Sequence, residues 1–297
     1  MLKLVGLGVV FGSILLGYTM HHGQIAILMQ VSEFIIIGGA ALGAMFVGNP
    51  PSIVMGVFKK CIGLLKPSPY NKTAFTDLLL LLHELFQTAK VDGMLALERH
   101  VERPAESEIF SKYPFFVHNH HACAFLTDTL KVLLTGTIDK HDLAEVLEID
   151  LEHHNHEMMV PSQVMARTGD AMPGFGIVAA VLGVVITMGA IAGAASEIGK
   201  SVAAALVGTF LGILLAYGVF NPLAAALEGI AKSEASYLGV IKSGVLSFSR
   251  GDAPITATEF ARRSIEPSFR PSFGELEEVI KEQKRKGPAG EQAVERR

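Results

Sequence analysis

Two stretches late in the chain, Gly174 to Gly193 and Ser201 to Leu227, contain no Asp, Glu, Lys, Arg or His. A helix rises about 1.5 Å per residue and roughly 20 apolar residues cross a hydrocarbon core, so each stretch predicts a membrane-spanning helix. Earlier, the apolar run from Met1 to Met20 and the uncharged run from Phe34 to Phe58 predict two more. The second of these should break near Asn49-Pro50-Pro51, because Pro lacks an amide donor and restricts the residue before it. Lys3 followed by an apolar run also fits a secretory leader, but no small-x-small cleavage site follows and another apolar run comes soon after.

Between the second and third spans the pattern changes to amphipathic helix. Leu78, Leu79, Leu82, Leu85, Phe86 and Ala89 recur at helical spacing, and Leu143, Val146, Leu147 and Leu151 do so within 139–157. Beyond the fourth span the periodicity continues through Leu227, Ile230, Tyr237, Leu238 and Ile241, which predicts one long helix running past Pro222 until Gly251 and Pro254 end it. Glu275 to Lys286 predicts a last charged helix, and 287–297 has the composition of a disordered tail. The fold class expected is all-α: a polytopic membrane protein with four transmembrane helices and a large helical cytoplasmic domain. Its segments are 1–57 (spans one and two), 58–169 (cytoplasmic), 170–227 (spans three and four), 228–286 (cytoplasmic tail) and 287–297.

Charge placement orients the spans. The Met20 to Glu33 turn has no Lys or Arg, whereas Lys59, Lys60, Lys66 and Lys72 crowd the exit of the second span. Cytoplasmic flanks carry the positive excess, so both termini are expected inside, with Ala194 to Lys200 as a short external loop. The 297 residues carry a net charge of -4 and a mean hydropathy of +0.41, part membrane and part aqueous. Without a basic face interleaved with aromatics, nucleic-acid binding is disfavoured. Cys61 and Cys123 read as free thiols of a reducing compartment.

Small residues dominate the third and fourth spans. Gly176, Ala179, Ala180, Gly183 and Gly189 lie in one; Ala204, Gly208, Gly212 and Ala216 recur at successive i+4 steps in the other. Such stripes bring helix backbones close together in lipid. They serve either packing within the chain or, as the clean Gly208-Gly212-Ala216 row favours, a partner's transmembrane helix. Thr187, Thr209 and Tyr217 are the few polar side chains there; a hydroxyl either bonds its own i−4 carbonyl or, as at Thr209, lines a wet path. Intramembrane acids usually mark proton relays, and neither of these two spans has one, so a relay through them requires a carboxylate from another chain. Pro173 is expected at the start of the third span, where a missing amide is harmless, and Pro222 inside the continuing helix, as a kink or hinge.

Histidines cluster at His118, His120 and His121 and at His153, His154 and His156. The i,i+4 pairs Glu152/His156 and His153/Glu157 could bind a metal, but no Cys accompanies them and nothing sets the spacing between clusters, so a solvated face is expected and no metal site is assigned. Gly6-x-Gly8-x-x-x-Gly12 has the wrong spacing for a dinucleotide loop and is expected to be packing. Neither GxSxG, a P-loop nor HExxH occurs.

In the hydrophilic insertion, Gly93-Met94-Leu95-Ala96-Leu97-Glu98-Arg99-His100-Val101-Glu102-Arg103-Pro104, followed by Glu106-Ser107-Glu108-Ile109-Phe110, resembles the cytoplasmic loop of the MotA stator-subunit family of flagellar motors. So do 174–183 (GFGIVAAVLG), 207–218 (VGTFLGILLAYG) and 270–278 (RPSFGELEE), in order and with matching topology over about residues 1 to 280. The wider MotA/TolQ/ExbB superfamily includes TolQ and ExbB energy transducers, which have three spans where this chain has four.

The resemblance implies a non-enzymatic, cofactor-free machine. Five A subunits surround two copies of a MotB subunit whose transmembrane helix carries an ion-binding Asp, and ion flow turns the A ring against the rotor protein FliG. It implies that Gly176, Gly183, Gly208, Gly212 and Ala216 pack on the partner helices, that Ala180, Thr209 and Tyr217 lie near the ion path, and that Pro173 and Pro222 couple ion binding to movement. For the rotor contact it implies an Arg and a Glu. Glu98 matches the Glu, while Lys90 holds the Arg position, keeping the charge and losing the planar fork. Sodium-driven relatives carry Thr where this chain has Ala180, which favours protons. Two other readings remain at this point: an envelope energy transducer of the TolQ or ExbB kind, and a metal transporter or membrane metalloenzyme using the histidines.

Overall fold

The computed structural model describes residues 2–189 and 194–286, and the regular elements among them are helical. In chain order they are α1 (Leu2–Met20), α2 (Ile25–Leu28), α3 (Val31–Gly48), α4 (Pro51–Gly63), α5 (Lys72–Asp92), α6 (Glu98–Glu102), α7 (Pro114–His118), α8 (His120–Thr135), α9 (Lys140–Gly189), α10 (Ala195–Leu215), α11 (Asn221–Ser249), α12 (Pro254–Ser264) and α13 (Phe273–Lys286). A π-helical turn, Ala216–Phe220, joins α10 to α11. The expected tail 287–297 lies outside the described residues, as do 190–193 at the end of the third span. Contacts divide the chain into two compact units, Met1–Pro67 with His156–Ala231 and Ser68–Asn155 with Lys232–Arg297.

The first unit holds the apolar helices. Lys3–Met20, Ile25–Gly48, α9 and the run Ala195–Ser249 are each long and apolar enough to cross a membrane. The second span breaks where its prolines require: α3 stops at Gly48, Asn49 is extended with its side-chain amide donating to the Met45 carbonyl at 2.9 Å, and Pro51 opens α4 at a position whose amide needs no partner. Two apolar clusters hold the unit. One joins Met45, Val54 and Val57 to Val164, Met165, Ala224 and Leu227; the other joins Ile37 and Ala41 to Met172, Ala179, Leu211 and Ala216. Helix α1 meets the π-helical turn near Gly218, where Val10 stands. Its Gly6, Gly8 and Gly12 have nothing within 4 Å on the side a Cβ would occupy, so the expected glycine packing is not made within this chain.

Two expectations about the ends of the apolar spans are corrected. The segment Ala194–Lys200, expected as a loop, is already helix from Ala195, and Glu197 in its first turn complements the helix dipole. Pro173 does not begin a helix. It lies deep inside α9, as does Pro161, because the hydrophilic residues from Lys140 onward belong to the same helix, whose apolar stretch starts only near 170. The fourth span does continue past Pro222 as one helical run to Ser249.

The second unit is built around α5, whose Leu78, Leu79, Leu82, Leu85 and Phe86 are fully buried. Asn71 caps α5 by accepting from the Ala74 amide at 3.0 Å. Helices α5, α11 and α12 converge at Gly244, where a Cβ would meet Ala261 Cβ and Leu82 Cδ1, each at 3.2 Å. Tyr237 is packed among Tyr70, Phe75, Phe115 and Phe116. Helix α12 carries no apolar run long enough to announce itself in the sequence; Pro254 at its first turn starts it, and Arg262 ties its end to the Pro271 carbonyl at 2.9 Å. Ser272 and Glu275 open α13 with a capping box, each side chain accepting from the other's amide at 3.2 and 2.7 Å. Leu143 and Leu147 of α9 are buried as expected, whereas Val146 between them is half exposed.

Candidate ion path and exposed charged loop

Helices α9 and α10 meet backbone to backbone. A Cβ on Gly176 would lie 2.7 Å from the Gly208 carbonyl oxygen, one on Gly212 would lie 2.6 Å from the Met172 carbonyl oxygen, and one on Gly183 would lie 2.7 Å from Ala205 Cβ. Ala216 is buried in the cluster with Ile37 and Met172. Within this chain the stripe packs against the neighbouring helix, the first of the two arrangements it allows, because small residues on both helices let the backbones approach closely. Faces left open include Ile177, Val181 and Val184 of α9 and Val202, Leu206 and Ile213 of α10.

The three ion-path candidates fall on or near this seam. Ala180 is half-buried, with its amide nitrogen 3.3 Å from where a Gly208 Cβ would stand. Thr209 is half-buried beside Gly176, and Tyr217 is exposed in the π-helical turn. Thr187 bonds back to the Gly183 carbonyl at 2.8 Å, the local alternative.

One residue that the pattern left in a turn belongs here. Glu33 sits in the first turn of α3, is 5% exposed, and its Oε2 has no hydrogen-bond partner. That oxygen fills the space above Gly208, 2.5 Å from where a Cβ would be. The available signal was a single acid bordering an otherwise charge-free span.

The prolines create a second feature. Pro173 cannot donate to the Gly169 carbonyl four residues back, and Pro222 cannot donate to Gly218. At Pro222 the ladder adapts through the π-helical turn, in which the Asn221 amide reaches back to the Ala216 carbonyl. Asn221 lies directly over Gly169, leaving no room for a side chain there, and its Nδ2 donates to Asp170 Oδ1 at 3.4 Å. The two helix irregularities therefore meet at Gly169 and Asn221.

In the second unit, Lys90 in the last turn of α5 and Glu98 at the start of α6 are both exposed and make no ion pair among the described residues. Gly93 separates them at φ +88°, a conformation that favours glycine. The segment after Glu98 is anchored by buried His100, whose Nδ1 bonds Ser107 Oγ at 2.7 Å and whose Nε2 accepts from Arg99 Nε at 3.2 Å. Ser107 Oγ also accepts from the Ile109 and Phe110 amides, each at 3.3 Å. Burial, then the Arg99 charge, holds the His100 pKa below the usual imidazole value.

A ring contact links the two histidine clusters. His154 is paired with Glu234 at 3.2 Å and lies 4.8 Å from the His121 ring, while His153 and His156 are exposed. No group of three or more ligand side chains able to hold an ion occurs among the described residues. Cys61 and Cys123 are both free and half-buried.

Residues 4–93 match the family model for the motility protein A N-terminal region, and residues 118–239 match that of the MotA/TolQ/ExbB proton channel family. Motility protein A of Salmonella typhimurium is 40% identical over 281 residues, covering 95% of each chain; that of Escherichia coli is 40% identical with the same coverage. The fold is similar to the solved structure of C. jejuni MotAB, with a TM-score of 0.73 at 20% identity over 91% of this chain and 98% of that one. On the identity across nearly its whole length, this chain belongs to the motility protein A family.

Proposed function

We propose that this chain is the A-type subunit of a flagellar stator, a multi-pass protein of the bacterial inner membrane with both termini in the cytoplasm. With a MotB-type partner carrying an ion-binding Asp it conducts protons and converts their flow into torque on the rotor. The observation that carries this reading is the family identity, held together with two charge-free helical stretches packed at a backbone-close seam. Ion flow needs a carboxylate beside that seam, and the partner's Asp supplies one. The partner helix meets the faces of α9 and α10 that their mutual packing leaves open, near Ala180, Thr209 and Tyr217. The Ala180 side chain offers no oxygen to ligate sodium, which supports protons. Pro173 and Pro222, through the Gly169–Asn221 junction, are the elements that change shape with ion occupancy. Lys90 and Glu98 present opposite charges to the rotor protein FliG, and several copies, five by family analogy, surround two partners. The four-span layout and the relatives named motility protein A favour this over an energy transducer of the TolQ or ExbB kind.

The test is swimming in a strain lacking this gene, complemented with wild type, Glu98→Lys or Pro222→Leu. Intact but paralysed flagella in the deletion, restored by wild type and impaired by the variants, is the expected result. Normal swimming in the deletion strain, with no change on adding a second deletion of any other stator genes, would refute it.

A further inference from the structure

Resting on the stator reading, we propose that Glu33 is a second proton-carrying group on the ion path, contributed by this chain and placed ahead of the partner's carboxylate. Four observations converge on it. Glu33 is the one ionisable residue of α3, and the described parts of 174–189 and 201–215, against which the α3 cluster packs, have none. It is 95% buried by its 5% exposure, yet Oε2 lacks any donor or acceptor. The oxygen is aimed into the α9–α10 seam rather than away from it: the absent Gly208 side chain makes the space, with Ala179 Cβ and the Ala180 amide on its far wall at 3.1 and 3.3 Å from the vacant Cβ position. Finally, the Gly208 that it covers packs against the Ala180 amide and immediately precedes Thr209, two residues proposed above for the ion path.

An ordinary structural carboxylate at a helix start would cap an amide or pair with a cation. Glu33 Oε2 does neither. The titratable groups that precede α3 and Gly208 in the sequence on this side are Tyr18, whose hydroxyl donates to the Gln24 carbonyl at 3.5 Å, His21 and His22 in the preceding turn, and Glu197 and Lys200 in α10, the last two 11 and 8 residues before Gly208, or about 16 and 12 Å along the helix. None supplies a partner to Oε2. A proton from external water adds to the Glu33 carboxylate, and the resulting acid passes it to the next oxygen on the path, water or the partner's carboxylate, regenerating the ionised form; only O–H bonds form and break. The glycine at 208 is then required for a reason beyond helix packing, since a methyl group there would displace the carboxyl.

The experiment uses the assembled complex in cells whose swimming is already restored by the wild-type chain, so that failure of the stator reading would appear first, as absence of rescue. Rotation of single motors is measured across load and external pH for Glu33→Gln and Glu33→Asp, with co-purification of the partner and chain abundance recorded for each. The expected result is a several-fold lower low-load speed for Glu33→Gln with near-normal torque at high load and normal assembly, partial recovery in Glu33→Asp, and a displaced external-pH dependence in the latter. Infrared pH-difference spectra of the purified complex should lose a carboxyl band in Glu33→Gln. Wild-type speed and pH response in Glu33→Gln would overturn the proposal. So would a loss of rotation that tracks loss of assembly, or an unchanged carboxyl spectrum.

Discussion

Adding one methyl group to the α9–α10 seam should separate the effect of packing from that of helix propensity. At Gly176 the new Cβ would stand 2.7 Å from the Gly208 carbonyl oxygen, 3.2 Å from Gly212 Cα and 3.3 Å from Thr209 Cα, all backbone atoms that cannot rotate aside. The helices would have to part along a seam also closed at Gly212 and Gly183. Overpacking of this kind costs about 1–3 kcal/mol. In lipid no hydrophobic drive offsets it, since van der Waals contact itself holds the pair. Gly174 lies two residues away on the same helix with nothing within 4 Å, so Gly174→Ala carries the same propensity gain without the clash. The difference between Gly176→Ala and Gly174→Ala therefore isolates packing. Denaturation midpoints of the purified chain in bicelles should place Gly176→Ala below Gly174→Ala by the equivalent of about 1–3 kcal/mol. Equal midpoints, or the reverse order, would refute the seam.

Four further outcomes are expected. Lys90→Glu and Glu98→Lys should each slow swimming while Lys90→Arg does not; equal speeds in all three would remove these charges from the rotor contact. Pro222→Ala restores an amide donor for Gly218 and lets an α-helix replace the π-helical turn, so swimming should fall while chain abundance is kept, and unaltered motility would count against a coupling role. Because the folded pKa of His100 lies below its ordinary 6.5, the ordered 98–110 segment should be fully stabilised above that pH and loosen as pH falls through it, read as increasing proteolysis in the segment. A His100→Gln chain whose cleavage kept the same pH dependence would sink this assignment. Hydrogen bonds from Arg262, then Arg263, hold the Glu259 pKa at about 2 against an ordinary 4.5, so its stabilisation is present above 4.5 and is lost as pH falls toward 2. In Glu259→Gln the acid-unfolding midpoint should lose that component, and an identical acid profile would contradict it.

How much was legible can be judged residue by residue. The break after Gly48 was legible because proline chemistry is local, and the buried face of α5 because leucines at helical spacing have only one consistent arrangement. Pro173 misled because hydropathy marks where lipid begins, whereas a helix continues wherever its ladder can; the polar residues from Lys140 extend it without interruption. Val146 shares the period of Leu143 and Leu147 but is half exposed, since periodicity reports a helix face and not the width of what covers it. The short helix α12 has too few apolar residues for a periodic signal, and its position depends on α5, against which it packs.

Taken by itself, the sequence determined the all-helical class, the charge-free spans, the long helix past Pro222 and the surface charges at Lys90 and Glu98, since each follows from local properties: transfer free energy, backbone donors, and the cost of burying charge. Tertiary structure alone decided what the glycines pack against, where the two proline irregularities meet, and that Glu33 turns inward over Gly208. Those depend on which helix becomes a neighbour, and a stripe of small residues is equally compatible with a partner inside the chain or outside it until the contact is made.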